Sequence, residues 1–318
     1  MRAPAAEPVP LPSDSNDTWR IGGTVLRVCW RGDLARFRRE AAVAAALPPG
    51  FPYPEVLDAG SDGELAWQLT RAVEGVPLVE VWHTLTAARR RAAVHRLGAA
   101  LALLHEHRFP AQVVELLTAP RRLDGITDVI GADIVPLPLD RALRLLDAAR
   151  GIDGVPAALL DRVAERLHGL TRTDPLSAPP AGSAPAGIGC LHGDAHPGNA
   201  LWHEDEVVAL LDLEWVRFGP ADLELEPYLR DNLGTPAWRT ADTREVLRLL
   251  AESHPAAFAP PDLVDRLSLY RLVAAVRSLV IAGRTADADP RPLPLAPLSR
   301  AADGDAHIRR LLPDGGRR

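Results

Sequence analysis

The stretch from Cys190 to Asp222, C-L-H-G-D-A-H-P-G-N-A-L-W-H-E-D-E-V-V-A-L-L-D-L-E-W-V-R-F-G-P-A-D, constrains this chain more than any other. Two short runs of strand-forming residues lie inside it, Ala200-Leu201-Trp202-His203 and Val207-Val208-Ala209-Leu210-Leu211. The polar triplet Glu204-Asp205-Glu206 separates them. Two such runs around a short polar break predict a β-hairpin. With Asp205-Glu206 at the tip, Asn199 falls opposite Asp212. Directly opposed β-carbons lie about 4.5–5.5 Å apart, so an amide oxygen and a carboxylate there can share one cation. Both are hard oxygen ligands of the kind Mg²⁺ prefers. Asp194, in a loop with Gly193 and Pro197-Gly198, brings a second carboxylate close to the same place.

That set of side chains suits phosphoryl transfer, in which one acid orients or deprotonates the attacking hydroxyl while an Asn and an Asp hold the metal. The run H-G-D-x-x-x-x-N followed by a strand-ending Asp resembles the aminoglycoside phosphotransferase / choline kinase-like family. That family is similar to protein kinases, whose catalytic loop reads H-R-D-x-x-x-x-N. Phe218-Gly219-Pro220-Ala221-Asp222-Leu223 resembles the family's G-x-P-x-x-D-L continuation, with the gap between Gly and Asp two residues shorter. The resemblance implies that Asp194 is the catalytic base, that Asn199 and Asp212 ligate Mg²⁺, and that ATP is the phosphate donor. It implies a structural role for His192, scaffolding by His196 and loop anchoring by Asp222. Glu214 is read either as an aid to metal or substrate or as the partner of a neighbouring arginine.

Composition sets the outer bounds. The chain has 318 residues, of which 47% are hydrophobic, enough for a substantial core in one large or two ordinary domains. The net charge of −6 argues against general nucleic-acid binding, which needs a basic surface. No apolar run approaches the ~18 residues of a membrane span. The start lacks the apolar core of a signal peptide, and a cytoplasmic location is expected. Cys29 and Cys190 lie far apart on expected strands and read as buried free thiols.

All 36 basic residues are arginine, and the chain contains no lysine. This matters near the N-terminus. Gly22-Gly23 joins Thr18-Trp19-Arg20-Ile21 to Thr24-Val25-Leu26-Arg27-Val28-Cys29-Trp30, a hairpin signal that sets Thr18 opposite Arg27. In the family, the turn before the first of these strands covers the ATP phosphates, and Ser15 and Asn16 match its small-polar-then-Asn pattern. Main-chain amides of such a turn can donate to phosphate. Arg27 stands where the family usually carries a phosphate-binding lysine; a guanidinium is bulkier, permanently charged and able to grip phosphate with two parallel bonds.

A helix is expected to follow, capped by Asp33, with Leu34, Phe37, Ala41, Ala44 and Leu47 as its apolar stripe and Pro48-Pro49-Gly50 at its end. Glu40 lies close to that stripe, where an unpaired carboxylate is costly. Arg27 is its expected partner, with Arg36 one turn earlier as the alternative. Two more strands are expected at residues 54–59 and 65–70. The resemblance implies a hinge after them, with main-chain groups of Arg71 and Val73 meeting the adenine.

From Leu78 the pattern turns helical. Val94, Leu97, Leu101 and Leu104 share one helical face, and further helices are expected at 139–149, 157–170, 244–253 and 261–282. Residues 1–12 read as a loose arm, 171–187 as a Pro/Ala/Ser/Gly surface loop, and 285–297 as irregular. The acidic run Glu224, Glu226, Asp231 reads as a solvated helix face or, if it lines the cleft, as a surface favouring a cationic acceptor such as an amino sugar or quaternary amine.

These features together imply an α+β, bilobal protein-kinase-like fold. Residues 1–74 form a small antiparallel-sheet lobe that binds nucleotide, and residues 75–318 a larger, mainly helical catalytic and substrate-binding lobe. The implied activity is transfer of the γ-phosphate of ATP to a hydroxyl of a small molecule, with antibiotic modification as one form. A metabolic kinase for choline, a sugar or an amino acid shares the same residues. A catalytically silent nucleotide-binding protein is the competitor that the absent lysine keeps open. Oligomeric state is not readable from the chain.

Overall fold

The computed structural model of the protein describes residues 7–13, 16–30, 33–118, 139–170, 188–229, 239–284 and 292–313. The chain divides into two compact units, one of residues 1–119 with 192–216 and the other of residues 120–191 with 217–318. The lobe boundary expected near residue 74 falls inside the first unit.

The first unit is built on a five-stranded sheet ordered β1-β2-β3-β5-β4. Its strands are β1 (Val9–Leu11), β2 (Asp17–Ile21), β3 (Thr24–Cys29), β4 (Val56–Ser61) and β5 (Ala66–Arg71). Gly22, at φ 58°, makes the tight turn between β2 and β3. It sets the expected register, with Thr18 opposite Arg27. The arm read at residues 1–12 is not loose throughout, because Val9–Leu11 pairs with β2 and places Pro10 opposite Trp19. Proline is tolerated there because β1 is an edge strand and needs no donor on its outer side.

Helix α1 (Arg36–Ala44) has Ala35 as its N-cap, two residues after the expected Asp33. The Asp33 carboxylate is used differently, accepting the Ala35 N–H at 3.0 Å and pairing with Arg39. The apolar face of α1 closes on the sheet, with Phe37 clustered with Cys29 and Ala66. Phe37 is fully buried, worth roughly 2–3 kcal/mol on hydrophobic transfer alone.

A second, three-stranded sheet in this unit runs β6-β8-β9: β6 (Val76–Pro77), β8 (Ala200–His203) and β9 (Glu206–Leu210). The two-residue β6 was too short to show a period in the sequence. Short helix α2 (Leu78–Val81) and the 20-residue α3 (Ala87–Glu106) follow, with Val94, Leu97, Leu101 and Leu104 buried as expected. Helix α4 (Ala111–Thr118) completes the unit.

The second unit is mainly helical: α5 (Leu139–Ala149), α6 (Ala157–Gly169), α7 (Thr240–Ser253), α8 (Leu263–Arg284), α9 (Leu295–Ala302) and α10 (Ala306–Leu311). Its core gathers Leu145, Leu146, Val163, Leu167, Val273, Val276, Leu279 and Leu298. Helix α9 occupies part of the segment read as irregular. A two-stranded ladder pairs β7 (Ile188–Leu191) with β10 (Arg217–Pro220). The 3₁₀ segment Ala221–Leu229 follows it.

Asp222 is the anchor expected of it. Its two oxygens accept from Arg266 Nη2 and Nε at 2.7 Å each, and Tyr270 donates its hydroxyl at 2.8 Å. Glu224 and Glu226, in contrast, are not solvated: both are buried, because the 3₁₀ segment that carries them packs inward along its whole length. Asp231, the loop read at 171–187 and the C-terminal Gly-Gly-Arg-Arg lie outside the described residues. Cys29 and Cys190 are both buried and neither is disulfide-bonded. Among the described residues, no helix is long and apolar enough to cross a membrane.

Candidate active site

The expected hairpin is present, with a different tip and register. Its turn is Glu204-Asp205, both residues at positive φ (45° and 68°), so His203 pairs with Glu206. That is the backbone of a two-residue hairpin turn whose central residues must both be left-handed. A bulge between Leu201 and Trp202 then shifts the ladder, and Ala200 pairs with Leu210. One step further out, the Leu211 N–H donates to the Asn199 carbonyl at 2.7 Å. Asn199 therefore stands opposite Leu211, and Asp212 lies one residue past the expected position. Asp212 turns out of the strand direction through a left-handed conformation, φ 69° and ψ 69°. Aspartate tolerates that region better than most residues, at a cost on the order of 1 kcal/mol.

The loop between β7 and β8 is held from within. Gly193 sits at φ 81°, a conformation that favours glycine. The buried His192 accepts the Asp194 N–H on Nδ1 at 3.3 Å, the structural role expected of it. His196 accepts the Gly198 N–H on Nδ1 at 3.0 Å, which in the neutral ring leaves the proton on Nε2. That Nε2 faces Asp194 Oδ2 at 3.7 Å. Asn199 Nδ2 donates to the Asp194 carbonyl at 2.9 Å and to Asp194 Oδ2 at 3.2 Å. The loop is pinned to α2 where the Val79 N–H meets the Pro197 carbonyl at 3.1 Å.

On the other side of Asp212 stands Arg27. Its Nη1 donates to Glu40 Oε1 at 2.7 Å and its Nη2 to Asp212 Oδ1 at 3.0 Å. Of the two partners considered for Glu40, the structure selects Arg27. Burial works against the charge on Arg27, but Glu40 and Asp212 more than offset it and hold the guanidinium ionised. Glu40 is completely buried, and its Oε1 also accepts from the Tyr53 hydroxyl at 2.6 Å and the Leu213 N–H at 3.3 Å.

Arg36, the alternative partner, turns away to Glu214 Oε2 at 3.0 Å and Asn16 Oδ1 at 3.3 Å. Asn16 is thus tied to α1 through its side chain. Glu214 has the arginine partner that one of its two readings expected. Its carboxyl is pushed up to about 7, first by burial and then by the Asp212 charge, against the opposing pull of Arg36. Burial also raises Asp212, with Arg27 opposing and the Glu40 and Asp194 charges adding to the rise.

Ser15 lies outside the described residues. At the end of β5 the Arg71 N–H is committed to the Glu55 carbonyl at 2.8 Å, and the Arg71 guanidinium to the Glu55 carboxylate at 2.7 Å. Its N–H is therefore not offered to a base. Two residues that the sequence reading passed over belong to this cluster, Tyr53 and Gln68. Gln68 had a signal. It alternates with Ala66 and Thr70 on the inner face of β5 and pairs across the ladder with Arg27. Tyr53 had none, because it lies in a Pro-rich connection without periodicity.

The donor set fits a hard divalent ion. Asn199 turns its nitrogen to Asp194, leaving an amide oxygen, and Asp212 supplies carboxylate oxygen. Among the described residues, no group of three or more His, Cys, Asp or Glu side chains is arranged to hold a metal ion.

No curated protein matches this sequence. Solved structures do match in fold. A thermostable mutant of aminoglycoside phosphotransferase APH(4)-Ia, in ternary complex with ADP and hygromycin B, aligns with TM-score 0.61 and 18% identity over 96% of this chain and 94% of that one. The gentamicin complex of APH(2″)-IIa aligns with TM-score 0.64 and 14% identity over 98% and 93%. ADP-bound APH(2″)-Ib aligns with TM-score 0.61 and 13% identity over 98% and 96%. They share the α+β kinase-like fold expected from the catalytic-loop motif. The model of the phosphotransferase enzyme family matches residues 9–260, most of the chain, and the chain therefore belongs to the phosphotransferase enzyme family.

Proposed function

We propose that this phosphotransferase moves the γ-phosphate of ATP to a hydroxyl of a small molecule. One observation supports the reading: Asp194 is hydrogen-bonded to Asn199, and Asp212, which feels the Asp194 charge, is paired with Arg27, itself paired with Glu40. Asp194 takes the proton of the incoming hydroxyl. Asn199 holds that carboxylate in place through its amide nitrogen and offers its oxygen to Mg²⁺ together with Asp212. Bound Mg²⁺ neutralises charge on the triphosphate. Arg27 supplies the fixed positive charge that lysine supplies elsewhere in the family. Asn16 is on the phosphate side of the nucleotide, and the Arg71 carbonyl with the Val73 N–H is on the adenine side.

The structural relatives include proteins solved with hygromycin B and gentamicin, so a hydroxylated, cationic antibiotic is the first acceptor class to try. Arginine in place of lysine is the feature that favours a silent nucleotide-binding protein instead. Coupled ADP-release assays over a panel of aminoglycosides, choline, sugars and amino acids separate these readings. Turnover with one acceptor that disappears in Asp194→Asn supports the proposal. Nucleotide binding with no turnover on any acceptor, including slow hydrolysis by water, points to the silent form. A thermal melt with AMP-PNP, with and without Mg²⁺, reports metal-dependent binding directly.

A further inference from the structure

Arg27 is surrounded in a way a lysine would not need. Its Nη1 meets two acceptors, Glu40 Oε1 at 2.7 Å and Gln68 Oε1 at 3.4 Å, while Nη2 meets Asp212 Oδ1 at 3.0 Å. The Phe37 ring lies against its planar carbon at 4.9 Å. Three of the five guanidinium donors are thereby committed, and two remain for an anion. An ammonium carries three donors on one atom. It cannot reach three separate acceptors and still offer two parallel bonds to a phosphate.

Gln68 stands there at a cost. The side chain is fully buried on the inner face of β5, and its Nε2 has no hydrogen-bond partner among the described residues. A buried polar atom left unpaired costs about 1–3 kcal/mol, and a leucine of similar volume would avoid it. Such a group calls for an explanation other than stability. Tyr53 shows the same economy of purpose. Its hydroxyl sits 2.6 Å from Glu40 Oε1, the oxygen that also receives Arg27, while Glu40 Oε2 has no partner. All three donors thus converge on one oxygen and set the orientation of the carboxylate. Burial, then the Glu40 charge, holds the Tyr53 hydroxyl protonated and so a donor.

We propose that Gln68 and Tyr53 are positioning residues that hold the Arg27 guanidinium for the nucleotide phosphates and fit this site to arginine rather than lysine. The inference rests on the proposed binding of ATP at this site. Gln68 acts on Arg27 directly, and Tyr53 acts through Glu40. Neither touches the nucleotide.

The test is titration calorimetry of the full chain with Mg²⁺·AMP-PNP and, separately, with adenosine, which lacks every phosphate. Gln68→Leu is expected to weaken AMP-PNP about fivefold to tenfold, the size of one lost bond to a charged group, with adenosine affinity unchanged. Its melting temperature stays level or rises, which a merely structural role would not allow. Tyr53→Phe gives the same split between the two ligands. In an Arg27→Lys background the loss caused by Gln68→Leu falls to half or less. Equal weakening of both ligands in both single variants, or no weakening in either, overturns the proposal and leaves the nucleotide reading standing. Failure of the wild-type chain to bind AMP-PNP at all defeats the nucleotide reading and this inference with it.

Discussion

The Leu213 N–H donates to the carboxylate of Glu40 at 3.3 Å, across 173 residues of sequence. This bond ties α1 to the exit of the catalytic hairpin, immediately beyond Asp212. Because the same carboxylate oxygen receives Arg27, the helix, the sheet and the hairpin are referred to one atom.

Removing that atom has a predicted cost. Glu40→Ala leaves Arg27, largely shielded from water, with only part of its counter-charge, and leaves the Tyr53 hydroxyl without its acceptor. Breaking one side of a buried pair costs about 3–5 kcal/mol. Urea unfolding is expected to show a loss of that size, together with weaker binding of AMP-PNP. A loss below about 1 kcal/mol would mean that the pair is effectively solvated.

Asp194→Asn keeps the shape of the side chain and removes its basicity. Transfer to the acceptor is expected to fall by about 10²-fold or more. The KM for ATP should change little, since the variant alters a group acting on the hydroxyl and not on the nucleotide. Steady-state kinetics on the acceptor found in the panel screen decides this, and a comparable rise in KM would move Asp194 from base to binding residue.

The hairpin tip offers a stabilising change. Glu204 is held at φ 45°, where a long side chain is strained, and its contact with His203 at 3.8 Å is exposed. Glu204→Asn places there a residue that favours this turn, for an expected gain of about 1 kcal/mol. A raised midpoint in thermal or urea unfolding, with activity unchanged, checks it.

Cys190 gives a pH signature. Burial pushes its thiol up, and the nearby Glu224 charge adds to the rise. In the unfolded chain such a thiol ionises near about 8.5. The folded protein therefore keeps the proton to higher pH than the unfolded chain does. The stability contributed is complete below about pH 8.5 and is lost as pH rises from there towards the folded-state value. Between pH 8 and 10 the wild type should lose stability more steeply than Cys190→Ala. Parallel slopes would show that the thiol is not shielded.

Some of the site was legible from local pattern alone. Gly22-Gly23 set the register of β2 on β3, and the position of Glu40 beside an apolar stripe pointed to Arg27. Both follow from short-range rules, a glycine's left-handed freedom and the cost of an unpaired buried carboxylate. The hairpin around Glu204 shows where such rules stop. The polar triplet located the turn to within one residue, yet in a strand one residue decides which face a side chain takes. The bulge at Leu201 and the left-handed Asp212 lie beyond any alternation of polar and apolar residues.

By itself, then, the sequence determined that this chain carries an H-G-D-x-x-x-x-N loop on a hairpin, a sheet with an arginine facing a helix acid, and enough apolar helix for a separate core. Those are properties of neighbours along the chain. Tertiary structure alone decided that Arg36 turns to Glu214 and Asn16, that Tyr53 and Gln68 close around Arg27 and Glu40, and that Glu224 and Glu226 are buried. Each of these depends on which distant segment comes to rest against a side chain. Burial and partner choice are set by packing across the fold, which no local spacing encodes.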